Sequence, residues 1–199
     1  MAKERLKSPR ARLFVALEVP DDVRDSIVAW QERELRDPLL RVVRPEALHF
    51  TLAFLGYHPE RRVPEIAEAA TATKAPAPSL RLLSAPVGVP RKGTPRLFAL
   101  EAESEGAVAL QAEVSDRLSE AGFYEPEKRP WWPHLTVARV RPEKRGSRRP
   151  GRVARLPEPL PEGFERTFVS VRLRLYRSHL RPQGAEYESL AQVDLPPES

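Results

Sequence analysis

Two stretches of the chain share one pattern of apolar and polar positions. The first reads Leu48-His49-Phe50-Thr51-Leu52-Ala53-Phe54-Leu55-Gly56 and the second Pro133-His134-Leu135-Thr136-Val137-Ala138-Arg139. Side chains alternate faces along a strand, so each stretch predicts a strand with its His and Thr on one face. Phe50 and Leu52, and in the second copy Leu135 and Val137, then point back into a core. The flanking sequence repeats as well: Arg12-Leu13-Phe14-Val15-Ala16-Leu17-Glu18 matches Arg96-Leu97-Phe98-Ala99-Leu100-Glu101, 35 and 36 positions ahead of the respective histidines when counted from Phe14 and Phe98. Between strand and motif each half carries a helical period. Val23, Ile27 and Trp30 share one face, after the candidate N-caps Asp21 and Asp22 and before Pro38. Leu110, Val114, Leu118 and Ala121 share another, with Gly122 placed to end the helix.

Weaker patterns fill in the rest. Residues 63–73 are alanine-rich and predict a helix that stops before Pro76 and Pro78, and residues 80–87 predict a strand. Residues 167–176 alternate, which puts Val169, Val171, Leu173 and Leu175 on one face of a single strand. Residues 187–195 predict a further strand, with a turn at Pro182 and Gly184 before it. Short strands with a few helices and no regular parallel alternation predict an α+β fold with antiparallel sheets. A strand-helix-strand unit used twice predicts two pseudo-symmetric lobes, with helices outside and a cleft that brings His49 and His134 together.

An imidazole beside a hydroxyl, presented twice across a cleft, suits acid-base chemistry on an oxyanion such as a phosphodiester. One His-x-Thr-x is common by chance, and a lone histidine on a strand is more often structural. The repeated context is what separates His49 and His134 from that reading. His58, in Tyr57-His58-Pro59, reads as a surface-loop residue, and His179, among arginines, as a solvated one. No third metal ligand stands at a recognisable spacing, and no Gly-x-x-x-x-Gly-Lys loop is present, so neither a metal nor a cofactor is expected.

The 199 residues suffice for one domain, and the charge of +5 with a sequence pI near 9.8 favours polyanionic partners. The basic residues comprise 27 Arg and 6 Lys. The guanidinium fork suits phosphate, although a GC-rich genome produces the same excess. With no cysteine, disulfides, thiolate metal sites and cysteine nucleophiles are excluded. No run reaches the length of a membrane span, and the polar arm over residues 1–10 lacks a signal-peptide apolar region. The expectation is a monomeric, cytoplasmic protein with no membrane partner. Residues 139–155 hold eight basic side chains and one acid, Glu143. The Pro- and Arg-rich interval over residues 140–163 is then either a basic flap over the cleft or a solvated linker.

The paired motifs resemble those of the two-histidine phosphoesterase superfamily, and more narrowly of the RNA 2′,3′-cyclic phosphodiesterases, historically called 2′-5′ RNA ligases. The likeness extends to Arg12-Leu13-Phe14-Val15-Ala16-Leu17, to Leu175-Tyr176-Arg177-Ser178 and to Gly184-Ala185-Glu186-Tyr187. The arginine-rich interval departs from it. The resemblance implies a bilobed fold with two antiparallel sheets lining a central cleft. It also implies metal-free opening of a 2′,3′-cyclic phosphate at an RNA 3′ end to leave a 2′-phosphate. His49 is then the proton donor to the leaving 3′ oxygen and His134 the acceptor from water. Thr51 and Thr136 hold the non-bridging oxygens. Arg139, five residues after His134, becomes a phosphate contact, a role that needs a bulge or a strand end to reach the histidine face. Phe14 is a candidate for base stacking, with burial in the core as its other reading. One of Trp131 and Trp132 faces the cleft, and Tyr176 and Tyr187 rim it or pack. The partners implied are RNA 3′ ends or nucleotide cyclic phosphates. The alternatives at the same site are 2′-5′ RNA joining, hydrolysis of a small cyclic nucleotide phosphate, or RNA-end binding without turnover.

Overall fold

Strand β1 (Arg10–Glu18) comes first in the computed structural model, which describes residues 9–144, 146–161, 167–181 and 184–198. It is followed by α1 (Asp21–Glu34), β2 (Leu40–Val42), β3 (His49–Pro59), α2 (Val63–Thr71), β4 (Ser79–Val89) and β5 (Leu97–Glu103). Then come α3 (Glu105–Glu120), β6 (His134–Val140), β7 (Thr167–Val169), β8 (Arg172–Arg181) and β9 (Gly184–Asp194). The strands pair antiparallel in the order β7-β4-β5-β6-β3-β1-β8-β9, with β2 on β6. The fold is α+β.

The repeat in the sequence is a repeat in space. One half is β9-β8-β1-β3 and the other β6-β5-β4-β7, so the matching segments β1 and β5 flank the motif strands β3 and β6. A single pairing, Phe50 with Leu135, joins the halves. The two predicted antiparallel sheets therefore meet at one point of one strand path and diverge from it. Where β3 leaves the edge of β6, β2 takes over that edge, pairing Leu40 with Val140, Arg41 with Arg139 and Val42 with Ala138.

The helices pack behind this sheet. Val23, Ile27 and Trp30 of α1 and Leu110, Val114 and Leu118 of α3 are all buried in the same core as Phe50, Leu52, Leu135 and Val137. Each such side chain contributes about 1.5–3 kcal/mol, far more than helix propensity supplies, so the apolar face sets where these helices form. Ser104 caps α3 by accepting from the Ala107 N–H at 2.9 Å, and Gly122 ends it in the left-handed region at φ 71°. At α1 the cap position is Pro20, without a side-chain cap bond, and Asp21 and Asp22 lie inside the first turn, where they suit the helix dipole.

Other sequence expectations are corrected. Residues 167–176 are not one strand. The chain leaves the edge of β4 at Val169 and joins β1 at Leu173, and the change of partner shifts the phase. Phe168 and Ser170 are buried while Val169 and Val171 are exposed, and only from Leu173 does the predicted face turn inward. Ser170 pins the crossover by donating its hydroxyl to the Glu18 carbonyl at 2.7 Å. His58 is not in a loop: it lies in β3 opposite Ala11, its Nε2 bonded to the Leu55 carbonyl at 3.0 Å. β9 begins at Gly184, ahead of the predicted start at residue 187, and Pro182 lies outside the described residues.

No described residue of the arginine-rich interval lines the cleft. The interval runs back along α1, where Ala154 donates its N–H to Asp37 at 2.8 Å and Arg155 pairs with Glu34 at 3.0 Å. Leu160 is buried and the Glu158 carbonyl accepts from Trp30 Nε1 at 3.1 Å. Residues 145, 162 and 163, and residues 1–8 of the arm over 1–10, lie outside the described residues. Among the described residues no helix is long and apolar enough to cross a membrane.

Candidate active site

His49 opens β3 and His134 opens β6, and each ring is fixed in the same way. His49 Nδ1 lies 2.8 Å from the Ala47 carbonyl and His134 Nδ1 lies 2.8 Å from the Trp132 carbonyl. A carbonyl only accepts, so both Nδ1 atoms carry the hydrogen and both Nε2 atoms hold a free lone pair toward the cleft. Extending the Phe50–Leu135 register by one residue each way sets His49 across from Thr136 and Thr51 across from His134. The two His-Thr pairs are thus related by a local twofold axis, with each imidazole across from the other strand's hydroxyl and the two histidines on one diagonal. All four residues line one cleft of about 530 Å³.

Burial sets the charge state. Loss of solvent around His49 lowers its pKa to about 4, against a raising contribution from the Ala47 carbonyl, and Arg139 and His134 push the same way as burial. His134 is lowered for the same leading reason, with Arg139 adding to the shift while the Trp132 carbonyl and Glu101 oppose it. Both imidazoles are thereby neutral at pH 7.

Each histidine faces a glutamate across its strand pair, Glu18 opposite His49 and Glu101 opposite His134. The symmetry ends there. Glu18 is held by Arg172 at 3.4 Å and Arg174 at 3.2 Å. Glu101 accepts from Trp132 Nε1 at 2.6 Å and pairs with Arg91, and the Trp132 ring stacks on His134 at 4.1 Å and 14°.

Arg139 reaches the histidine face through a bulge. Phe98 pairs with Ala138 and Ala99 with Thr136, which leaves Val137 as an extra residue. Val137 and Ala138 are both buried, and Arg139 returns to the cleft beside His134 and Thr136. The strand β3 does the same: Val15 pairs with Ala53 and Ala16 with Thr51, so Leu52 is extra and Phe54 comes to the cleft.

The sequence candidates Phe14, Tyr187, Trp131 and Trp132 also gather here, in different roles. Phe14 is 2% exposed and sits beneath His49, ring centroids 4.9 Å apart, stacked on Tyr176 and edge-on to Tyr187. It supports the imidazole and offers no free face for a base. Tyr187 lines the cleft and Tyr176 stands behind Phe14. Trp131 donates Nε1 to the Thr51 carbonyl at 2.9 Å, bracing the opposite half. Both tryptophans wall a second chamber of about 690 Å³ that shares Thr51, Phe54 and His134 with the cleft. His179 lies away from it, bonded to Glu188 at 3.0 Å.

Four further residues enter the site without having been singled out. Arg12 lines the cleft and donates to Ser178 Oγ at 3.1 Å. Arg41, Phe54 and Glu101 complete the set. Phe54 and Glu101 had a signal in the repeat, as the counterparts of Arg139 and Glu18; Arg41 had none. Among the described residues no group of three or more His, Cys, Asp or Glu side chains is arranged to hold a metal.

Comparison with known proteins identifies the family and the fold. The model of the 2′-5′ RNA ligase superfamily matches residues 19–177. The RNA 2′,3′-cyclic phosphodiesterase of Thermus thermophilus is 32% identical over 190 residues, 92% of this chain and 90% of that protein. The protein of the same name from Methanocaldococcus jannaschii is 27% identical over 177 residues, 89% of this chain and 96% of that one. Among solved structures, one of a Thermus thermophilus protein superposes with a TM-score of 0.78 at 29% identity, covering 94% of this chain and 100% of that one. Escherichia coli LigT in complex with 3′-AMP shares the fold, with a TM-score of 0.72 at 21% identity over 94% of this chain and 99% of that one.

Proposed function

This chain belongs to the 2′-5′ RNA ligase superfamily, and we propose that it is an RNA 2′,3′-cyclic phosphodiesterase that opens the cyclic end to a 2′-phosphate. The observation that carries the reading is the twofold arrangement of the two His-Thr pairs about Phe50 and Leu135, with both Nδ1 atoms locked and both Nε2 atoms free. Relatives of the same name at 32% and 27% identity support it.

In this mechanism water attacks phosphorus while His134 Nε2 takes its proton. The bond from phosphorus to the 3′ oxygen breaks, and that oxygen takes a proton from His49 Nε2. The product keeps the phosphate on the 2′ oxygen. His134 ends protonated and His49 neutral, and exchange with solvent restores both. Thr51, Thr136 and Arg139 donate to the non-bridging oxygens, where negative charge grows.

The environment favours this division of labour. The carboxylate of Glu101 raises the basicity of His134, which suits the base. Glu18 is neutralised by two arginines. His49, with a pKa of about 4, is a weak base and, once protonated, a strong acid. An anionic cyclic phosphate in the cleft supplies the charge that draws a proton onto His49.

The test is hydrolysis of a short RNA ending in a 2′,3′-cyclic phosphate, with EDTA present, by the wild type, His49→Ala and His134→Ala. The expected result is a 2′-phosphate from the wild type alone, undiminished by the chelator, with each variant slower by at least about 10²-fold. RNA binding without turnover by the wild type would overturn the catalytic reading. A 3′-phosphate product would reverse the assignment of the leaving oxygen.

A further inference from the structure

Arg41 of β2 stands directly opposite Arg139 of β6. Like charges in that relation repel, and sheets normally avoid them or place a counter-charge between them. None is provided here, for neither guanidinium touches a carboxylate among the described residues. The contrast with the neighbourhood is sharp. Arg172 and Arg174 share Glu18, Arg177 holds Glu60, and Arg181 holds Glu186 at 3.3 Å.

The half-buried Arg41 and the exposed Arg139 both border the cleft. Arg41, Arg44, Arg139, Gly184 and Ala185 line a recess of about 50 Å³ that continues the cleft beyond the histidines. That volume is far below a nucleobase pocket and suits a tetrahedral oxyanion. Among the described residues no acidic side chain lines it, although Arg44 at its rim pairs with Glu46 at 3.1 Å. The chamber that shares Thr51, Phe54 and His134 with the cleft carries Asp116, Glu127 and a single cation, Arg129, which pairs with Glu127 at 3.8 Å. Charge therefore gives the cleft a direction, with the arginine end as the exit for a polyanionic chain.

Resting on the phosphodiesterase reading, we propose that Arg41 forms a second phosphate subsite for the internucleotide phosphate on the 5′ side of the cyclic end. The substrate class that follows is an RNA chain with at least one phosphodiester before its terminal nucleotide. A mononucleoside 2′,3′-cyclic phosphate leaves the subsite unfilled. β2 then has a functional reason to take the edge of β6 at this register: it sets Arg41 one strand away from the cation that serves the reacting phosphate.

The experiment compares the dinucleotide adenylyl-adenosine 2′,3′-cyclic phosphate with 2′,3′-cyclic AMP, in the wild type, Arg41→Gln and Arg41→Lys, with melting temperatures recorded for all three. The wild type is expected to prefer the dinucleotide. Arg41→Gln is expected to lower the ratio of the two kcat/KM values about tenfold or more, and Arg41→Lys to restore most of it. In the wild type, log kcat/KM against log salt is expected to be steeper for the dinucleotide by about 0.7, the value of one phosphate contact on a single strand. An unchanged ratio, equal losses on both substrates, or equal salt slopes in the wild type would each overturn the subsite. Should the wild type open neither substrate, the phosphodiesterase reading itself fails. Turnover of both with no preference removes the second subsite alone. If Arg41→Gln does not fold, the wild-type salt slopes still decide.

Discussion

Arg139 and Phe54 hold equivalent places in the two halves, each five residues after its histidine and each brought to the cleft by one extra residue in its strand. The backbone is symmetric at this point and the chemistry is not. One half offers a planar cation to the phosphate and the other an aromatic face that is 55% exposed. A symmetric pair of imidazoles is thereby placed in an asymmetric field. Both histidines feel Arg139, but only His134 feels the carboxylate across its strand pair.

Arg139→Ala is therefore expected to lower kcat/KM for the cyclic phosphate by about 10²–10³, the effect of losing one preorganised donor to a developing oxyanion. Arg139→Lys should recover part of the loss, since it keeps the charge and gives up the fork. Phe54→Ala should act mainly on KM. Steady-state kinetics on the three variants decides it, and a loss in Phe54→Ala as large as in Arg139→Ala would refute the asymmetry.

The depressed histidines make a prediction about pH. The productive free enzyme has His49 protonated and His134 neutral, although His49 titrates near 4 and His134 below 6.5. The profile of kcat/KM should then peak below pH 6.5, between the two values. In the complex the phosphate charge raises both imidazoles, so the profile of kcat should shift to higher pH. Superimposable profiles for the two constants would contradict the account.

Much of this site is legible in the sequence, for an identifiable reason. His49, Thr51, His134 and Thr136 can be read because a strand's period of two assigns faces without knowledge of its neighbours. Arg139 can be carried only as a residue in need of a bulge, because a bulge is a relation between two strands and is invisible in one. The same limit explains Val169 and Val171, which keep the right alternation but lie across a change of partner strand. The arginine-rich interval stays open between two readings in the sequence because composition gives its charge and not its partners, Asp37 and Glu34 on a distant turn and helix. Glu101 sits in the repeat in plain view, yet its contact with Trp132 depends on rotamers that no pattern encodes.

Stability against pH isolates His49 from catalysis. The unfolded residue titrates near 6.5 and the folded one near 4, so between these values the unfolded chain binds the extra proton. The folded state therefore loses stability as pH falls through 6.5, and the loss is complete below about 4, amounting to roughly 3 kcal/mol for this group. His49→Gln lacks the group, and its melting temperature should fall less than that of the wild type between pH 7 and about 4.5. Parallel curves from calorimetry would show that the His49 ring is not desolvated.

Trp132 and Glu101 provide the last test, because they act on His134 without reaching the phosphate. Trp132 stacks on the imidazole at 4.1 Å and donates its Nε1 hydrogen to Glu101, whose charge opposes the effect of burial on His134. Glu101→Gln keeps an acceptor for Trp132 and removes the charge. His134 should then titrate at lower pH, and kcat should fall severalfold as the base weakens. Trp132→Phe keeps a stacking ring and loses the donor, so it should disturb kcat less than Trp132→Leu, which loses both. Glu18→Gln is the control, since Glu18 is already neutralised by Arg172 and Arg174 and lies across from the other histidine. An NMR titration of the His134 ring in Glu101→Gln reads the effect directly. No movement of that titration, or an equal movement in Glu18→Gln, would mean that the glutamate across the strand does not set the basicity of His134.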